Sequence, residues 1–185
     1  MNATAPTPAV EDVQAVLARW EADELRVRAT LAAPGVARPD QVADKTGLQM
    51  FEAISAGELP SVPIGASMDF CPVHFEPGLM VFQGRPSAKF MNPLGTIHGG
   101  WIATLLDSAV ACAIHTTLPA GVGYTTAELK ISYIRALTPS VKLVRAEGRL
   151  INAGRKIGFA EGRLVGPDGK LYAHATTTCV MLPRE

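Results

Sequence analysis

The chain has 185 residues, 48% of them hydrophobic, which is enough for one domain with a substantial core and too few for two comfortable ones. Seventeen Lys/Arg balance seventeen Asp/Glu, so no net charge argues for nucleic acid or an anionic membrane as partner. The charge is divided, however: residues 1 to 60 hold five Lys/Arg against nine Asp/Glu and residues 61 to 185 hold twelve against eight, so any anion binding belongs to the second part.

Residues 1 to 9 read as a disordered tail of small residues, Thr, Asn and Pro. From Val10 to Ala33, Val13, Val16, Leu17, Trp20, Leu25, Val27 and Leu31 recur among charges at mostly helical spacing, which predicts an amphipathic helix ended by PGVARPD. A second helix is expected from about Gln41 or Thr46 to Ala56, with GELPSVPIG as its stop. From Ser67 the pattern turns to short β runs. A hairpin is expected over Met68 to Phe75 and Gly78 to Gly84, then one long helix over Gly99 to Leu118. Four strands follow, at Tyr124 to Leu137, Val141 to Ile151, Lys156 to Val165 and Leu171 to Leu182. Their connections, TPS, NAGR and PDG, read as tight turns between antiparallel neighbours. Alternation in the last three strands puts Ala146 with Gly148, Ala160 with Gly162 and Ala173 with Ala175 on single faces, where small side chains admit a helix closely. The expectation is an α+β fold: an antiparallel sheet curled around one long central helix, with a tail and helical extension over 1–45 and the main domain over 46–185.

The chemistry concentrates in NPLGTIHGGWIATLLD, Asn92 to Asp107, where a turn-rich loop leads into a helix that is apolar nearly all round yet carries Asp107. An ionised carboxylate in such surroundings is costly unless it is partnered or used. The alternative to catalysis is a carboxylate that caps or pairs within an interface. Gly99 and Gly100 at the helix start leave N–H groups open and let a ligand approach the backbone closely, with the helix dipole adding a favourable field. They serve close packing equally well. Cys71, Cys112 and Cys179 form no CxxC and are odd in number, which argues for free thiols in a reducing cytoplasm. His74, His115 and His174 show no metal-ligand spacing, and no metal is expected. No secretory leader is apparent. The central helix is too short and too polar for a comfortable membrane span, so a soluble cytoplasmic protein is expected.

Together NPLGTIHGGWIATLLDSA, TAELKISYIRAL and AEGRLINAGRKIGFAEGRLVGPDGKLYAHATTT resemble the hotdog-fold acyl-CoA thioesterases of the phenylacetate-degradation (PaaI-like) type, over roughly Gly47 to Leu182. The resemblance implies hydrolysis of acyl-CoA thioesters with no cofactor beyond the coenzyme A of the substrate. It implies that Asp107 is the catalytic carboxylate, as nucleophile or as general base on water, and that the Gly99 N–H polarises the thioester carbonyl. Asn92 would orient water or the leaving group, Thr126 would stand near that water, and His98 would be a structural or assisting group. Gly100 joins the substrate-binding set. Arg135, Arg155 and Lys156 are candidates for the coenzyme A phosphates, and read equally well as solvated surface cations.

Gly99 and Asp107 lie eight residues apart, roughly 12 Å along a helix axis. They cannot both reach one carbonyl, so if both are catalytic each site combines two subunits around a two-fold axis. An obligate homodimer is expected, with a homotetramer as a common family form. Two other functions compete: a hotdog dehydratase or hydratase, whose His-carboxylate pattern is not evident, and a non-catalytic acyl-CoA-binding regulator using its N-terminal helices on DNA. Leu48 to Ala56 offers no Arg or Lys to a phosphate, which counts against the regulator. No GxSxG elbow or nucleotide-binding fingerprint is present.

Overall fold

The computed structural model describes residues 12–183; the expected tail at residues 1 to 9 lies outside them. The described chain runs α1 (Val13–Thr30), β1 (Ala32–Pro34), α2 (Pro39–Val42), α3 (Gly47–Ser55), β2 (Pro60–Ser61), α4 (Pro63–Met68), β3 (Phe70–Glu76), β4 (Leu79–Gly84), α5 (Gly99–His115), β5 (Val122–Tyr133), β6 (Val144–Ala153), β7 (Ile157–Val165) and β8 (Leu171–Pro183). Six strands form one antiparallel sheet in the order β3-β4-β6-β7-β8-β5, wrapped around α5; β1 and β2 make a small parallel pair. This is the hotdog arrangement.

Helix α5 starts where His98 caps it and ends at His115, three residues earlier than expected. The hydroxyls of Thr116 and Thr117 turn back onto the Ala113 and Ile114 carbonyls, and so compete with the backbone for the last turn. Between those ends Leu105, Leu106, Ala109, Val110, Ala113 and Ile114 are wholly buried. The expected faces are the ones that meet the helix: Ala146, Ala160, Ala173 and Ala175 are buried, and a Cβ on Gly148 would overlap the Ala109 carbonyl. Close approach therefore depends on the small residues in β6 and β7.

Strand β4 is buried at every position because it is covered on both faces. Met80 and Phe82 join the α5 core, while Leu79 and Val81 join Val27 of α1 with Cys71 and Val73 of β3. Further along α1, Val16, Leu17 and Trp20 meet Leu143 and Val165. The N-terminal helix thus lies on the outer face of the sheet. It is anchored by charge as well: the buried Glu24 carboxylate accepts from Arg28 Nε at 2.7 Å and lies 2.8 Å from Arg85 Nη2. Asp23 pairs with Arg145 at 2.7 Å, and the Arg145 guanidinium stands 4.5 Å over the Trp20 ring.

The expected second helix is two: α2, then α3 opened by a capping box in which Thr46 and Gln49 exchange bonds with each other's backbone. Helix α3 closes the C-terminal end of α5, since Gly47 N donates to the Leu118 carbonyl at 3.0 Å and Phe51 meets His115 edge-on. The tight TPS turn between adjacent strands is corrected by the structure. Strand β5 ends at Tyr133 and pairs with β8, while β6 pairs with β4 and β7. Ile134 and Arg135 both donate to the Tyr172 carbonyl; the chain then crosses past the buried Leu137 and a 3₁₀ turn at Pro139–Val141 before entering β6. Pro139 fits the first position of that 3₁₀ turn, at the end of the crossover.

Gly148→Ala is expected to destabilise the fold by about 1–3 kcal/mol or more, read as a lower urea midpoint, because α5 must move to admit the methyl. Burial raises the Glu24 pKa, but the hydrogen bonds and charges of Arg85 and Arg28 outweigh it and leave it below the ordinary value of 4.5. Its stabilisation is therefore present above that value and lost as pH falls through the lower folded one. Glu24→Gln is expected to cost about 1–3 kcal/mol at neutral pH, with the wild-type and variant midpoints converging in acid.

Candidate active site

Asp107 projects from the middle of α5, half-buried, toward β5. There Thr126 Oγ1 donates to its Oδ1 at 3.1 Å. Burial raises the Asp107 pKa above 3.8, and the Thr126 bond opposes that rise without cancelling it. The surroundings are soft and weakly polar. Cys112 Sγ lies 3.6 Å from the Tyr124 hydroxyl, and Cys179 stands opposite Thr126 across the β5/β8 ladder. Burial pushes the Cys112 thiol up to about 12 and raises Tyr124 as well, so neither shares negative charge with the carboxylate at neutral pH. His115 packs between Phe51 and Tyr124.

The N-terminal end of α5 holds the glycines. His98 accepts the Gly100 N–H on Nδ1 at 2.9 Å, which engages one helix-start donor. The Gly99 N–H meets no acceptor among the described residues. Asn92 shapes the loop before the helix: its Oδ1 accepts from Leu94 N at 2.9 Å and Thr96 N at 3.3 Å, and its Nδ2 donates to Thr96 Oγ1 at 2.8 Å. One further donor is unanticipated from the sequence. The Tyr133 hydroxyl donates to the Gly99 carbonyl at 3.0 Å, and its ring is so near that a Cβ on Gly99 would sit 3.1 Å from Cζ.

The structure therefore brings Asp107 and Thr126 together, and separately Gly99, Gly100, His98 and Tyr133; the two groups occupy different stretches of one helix. Arg135 is exposed just beyond Tyr133, at the Gly99 end. Arg155 and Lys156 are exposed in the β6–β7 turn, at the end of the sheet where Ile114 lies against Gly158. An apolar cleft of about 210 Å³, lined by Leu31, Ile54, Val62, Phe70 and Phe82, opens at the β3 edge and includes none of these residues. Among the described residues no three His, Cys, Asp or Glu side chains converge as a metal set, and no helix is long and apolar enough to cross a membrane. Cys71, Cys112 and Cys179 are free thiols.

A family model described as the thioesterase superfamily matches residues 94–173. The structure of a phenylacetic acid degradation-related protein from Ralstonia eutropha, itself described as a thioesterase by inference, superposes with a TM-score of 0.65 at 29% identity, covering 70% of this chain and 98% of that one. The phenylacetic acid degradation protein PaaI of Thermus thermophilus, solved as a point mutant, gives a TM-score of 0.57 at 28% identity, covering 64% of this chain and 97% of that one. A Halobacterium salinarum protein described as an esterase by inference is 33% identical over 88 residues, 46% of this chain; the chain thus spans little more than half, 56%, of that relative's length. Residues 94–173 of the chain thus match the thioesterase superfamily, and the chain shares the hotdog fold of the phenylacetate-degradation-type structures it resembles.

Proposed function

We propose that this protein hydrolyses acyl-CoA thioesters at two composite sites of a homodimer, each combining Asp107 and Thr126 of one protomer with the partner subunit's Gly99. The observation that carries the reading is the half-buried Asp107, alone among thiols and hydroxyls, with one carboxylate oxygen held by Thr126 and the other without a bonded partner among the described residues. A perturbed carboxylate aimed from a helix is a recognised mark of an active site.

Thioester hydrolysis needs a base or nucleophile at the carbonyl carbon and a donor at the oxygen where charge develops. Asp107 supplies the first. As general base it takes a proton from the water that attacks the carbon. As nucleophile it forms an acyl anhydride that water then opens. In both routes the C–S bond breaks and coenzyme A leaves as thiolate. The unengaged Gly99 N–H, at the positive end of α5, supplies the second. Since Gly99 at the start of α5 and Asp107 at its middle cannot meet at one carbonyl within a chain, the two helices of a dimer would run antiparallel across a two-fold axis.

Strand β5 supports that assembly. It is twelve residues long, pairs on one side only, and stands at the sheet edge beside Tyr133 and Ile134, which are 55% and 52% exposed. A long bare edge of this kind invites pairing with a second copy. Acyl-CoA would enter between the copies, with Arg135, or Arg155 and Lys156, available to its phosphates; the acyl group, and assembly beyond the dimer, are left open.

Asp107→Asn is expected to lower thiol release from acyl-CoA at least about 100-fold, the scale of a lost general base; turnover that survives this change would sink the role. Because the folded pKa of Asp107 is raised, its charge destabilises the protein above 3.8 and that penalty fades in acid. The same variant is therefore expected to melt higher than wild type at neutral pH, an advantage shrinking as pH falls. Thr126→Val removes the bond that lowers the pKa, so the acid limb of kcat/KM should move to higher pH, measured as a full pH–rate profile. An unmoved limb would contradict the contact.

A further inference from the structure

Strand β5 changes faces in its middle. Val122 and Tyr124 pack with the α5 residues Val110 and Ile114, and Thr126, two positions on, reaches Asp107. Then the ladder slips: Thr126 pairs with Cys179 and Glu128 with Thr178, so Ala127 is an inserted residue without a partner. Beyond it Leu129 and Ile131 join the central core and Tyr133 reaches Gly99. An uninterrupted strand would turn Glu128, Lys130 and Ser132 toward the helix and Tyr133 away from it. This one-residue bulge is therefore what allows β5 to touch α5 at both functional points, Asp107 and the Gly99 carbonyl.

Two adjacent threonines of β8 hold the bulge from opposite faces. On the inside, buried Thr177 donates its hydroxyl to the Glu128 carbonyl at 2.7 Å. On the outside, Thr178 donates to Glu128 Oε2 at 3.1 Å in an exposed bond, the weaker of the two because water competes for it. Thr177 also reaches the Cys179 thiol, two residues along β8, and makes no hydrogen bond to Asp107 or Gly99.

We propose that Thr177 is a positioning residue for the candidate site: its hydroxyl locks the β5 bulge and thereby sets Thr126 on Asp107 and Tyr133 on Gly99. The functional consequence rests on the reading of Asp107 as the reacting carboxylate, whereas the positioning itself does not.

Thr177→Val keeps the shape and removes the hydroxyl; Thr177→Ser returns it. Two readouts apply to the full-length protein: titration of the Asp107 carboxyl by ¹³C NMR without substrate, and kcat and KM for thiol release from acyl-CoA. Thr177→Val is expected to move the Asp107 titration upward, as Thr126→Val does, and to lower kcat about tenfold or more with KM little changed. Thr177→Ser should restore both, and Thr177→Val should add no titration shift in a Thr126→Val background. If Thr177→Val does not fold, Thr177→Ala is read in the same way. An Asp107 titration unmoved by loss of the Thr177 hydroxyl, or not restored by serine, overturns the proposal. If wild type shows no turnover, the thioesterase reading fails, while the titration still decides what Thr177 does.

Discussion

The molecule depends on enclosing a helix that is apolar on almost every side and still carries one carboxylate. Close contact between α5 and the sheet requires glycine and alanine in β6, β7 and β8, with Gly148 under the Ala109 carbonyl as the tightest point. Enclosure of the same helix half-buries Asp107, and that partial dehydration is what raises its pKa. Reactivity and packing are thus one constraint. The helix cannot be loosened without rehydrating the acid, and the acid cannot be neutralised without losing the chemistry proposed for it. This is the usual conflict between stability and function at a site.

The N-terminal elements relieve a different problem. A sheet wrapped around a helix leaves its outer face exposed, and α1 covers part of it with Val16, Leu17, Trp20 and Val27. The buried Glu24 then fixes where along the sheet the helix lies, because Gln83 and Arg85 reach it from β4 and the residue after it, while Arg28 steadies it from within α1. Helix α3 closes the far end of α5 through Phe51 and Gly47. These segments lie outside residues 94–173, the part matched to the thioesterase superfamily, and they leave the β5 edge bare.

Much of the fold was legible because it rests on local patterns. The apolar run after His98 marks a buried helix, the paired small residues of the last three strands mark the face it lies on, and Thr46 marks a helix start through its reciprocal bonds with Gln49. Strand order was less legible: turn residues in TPS report that the chain bends, not which strand it joins next. Within the candidate site, Asp107 stood out as a charge among apolar residues, and the family resemblance placed Thr126 near the water of the reaction but not on the Asp107 carboxylate, which its hydroxyl bonds. Tyr133 did not stand out. It is seven residues from Thr126, an odd separation that period-two alternation assigns to the opposite face. The bulge that reverses this has no glycine to announce it; it is held by Thr177, some fifty residues away in sequence. Similarly, the role of His98 as a helix cap follows from one Nδ1 contact that sequence alone does not specify.

The central claim is that each site needs Asp107 from one protomer and the Gly99 N–H from the other. Gly99→Pro deletes that N–H at the first helical position, where the backbone suits proline because His98 already has the extended conformation that a residue preceding proline requires, although the Tyr133 ring, 3.1 Å from the added Cβ, must shift by a few tenths of an ångström. Differently tagged Asp107→Asn and Gly99→Pro chains can be co-expressed and the hybrid dimer purified, its thiol release from acyl-CoA then being compared with both parent homodimers. If the sites are composite, the hybrid contains one site with both groups intact and recovers about half the wild-type rate per dimer, although each parent is inactive. A hybrid as inactive as its parents would contradict the account.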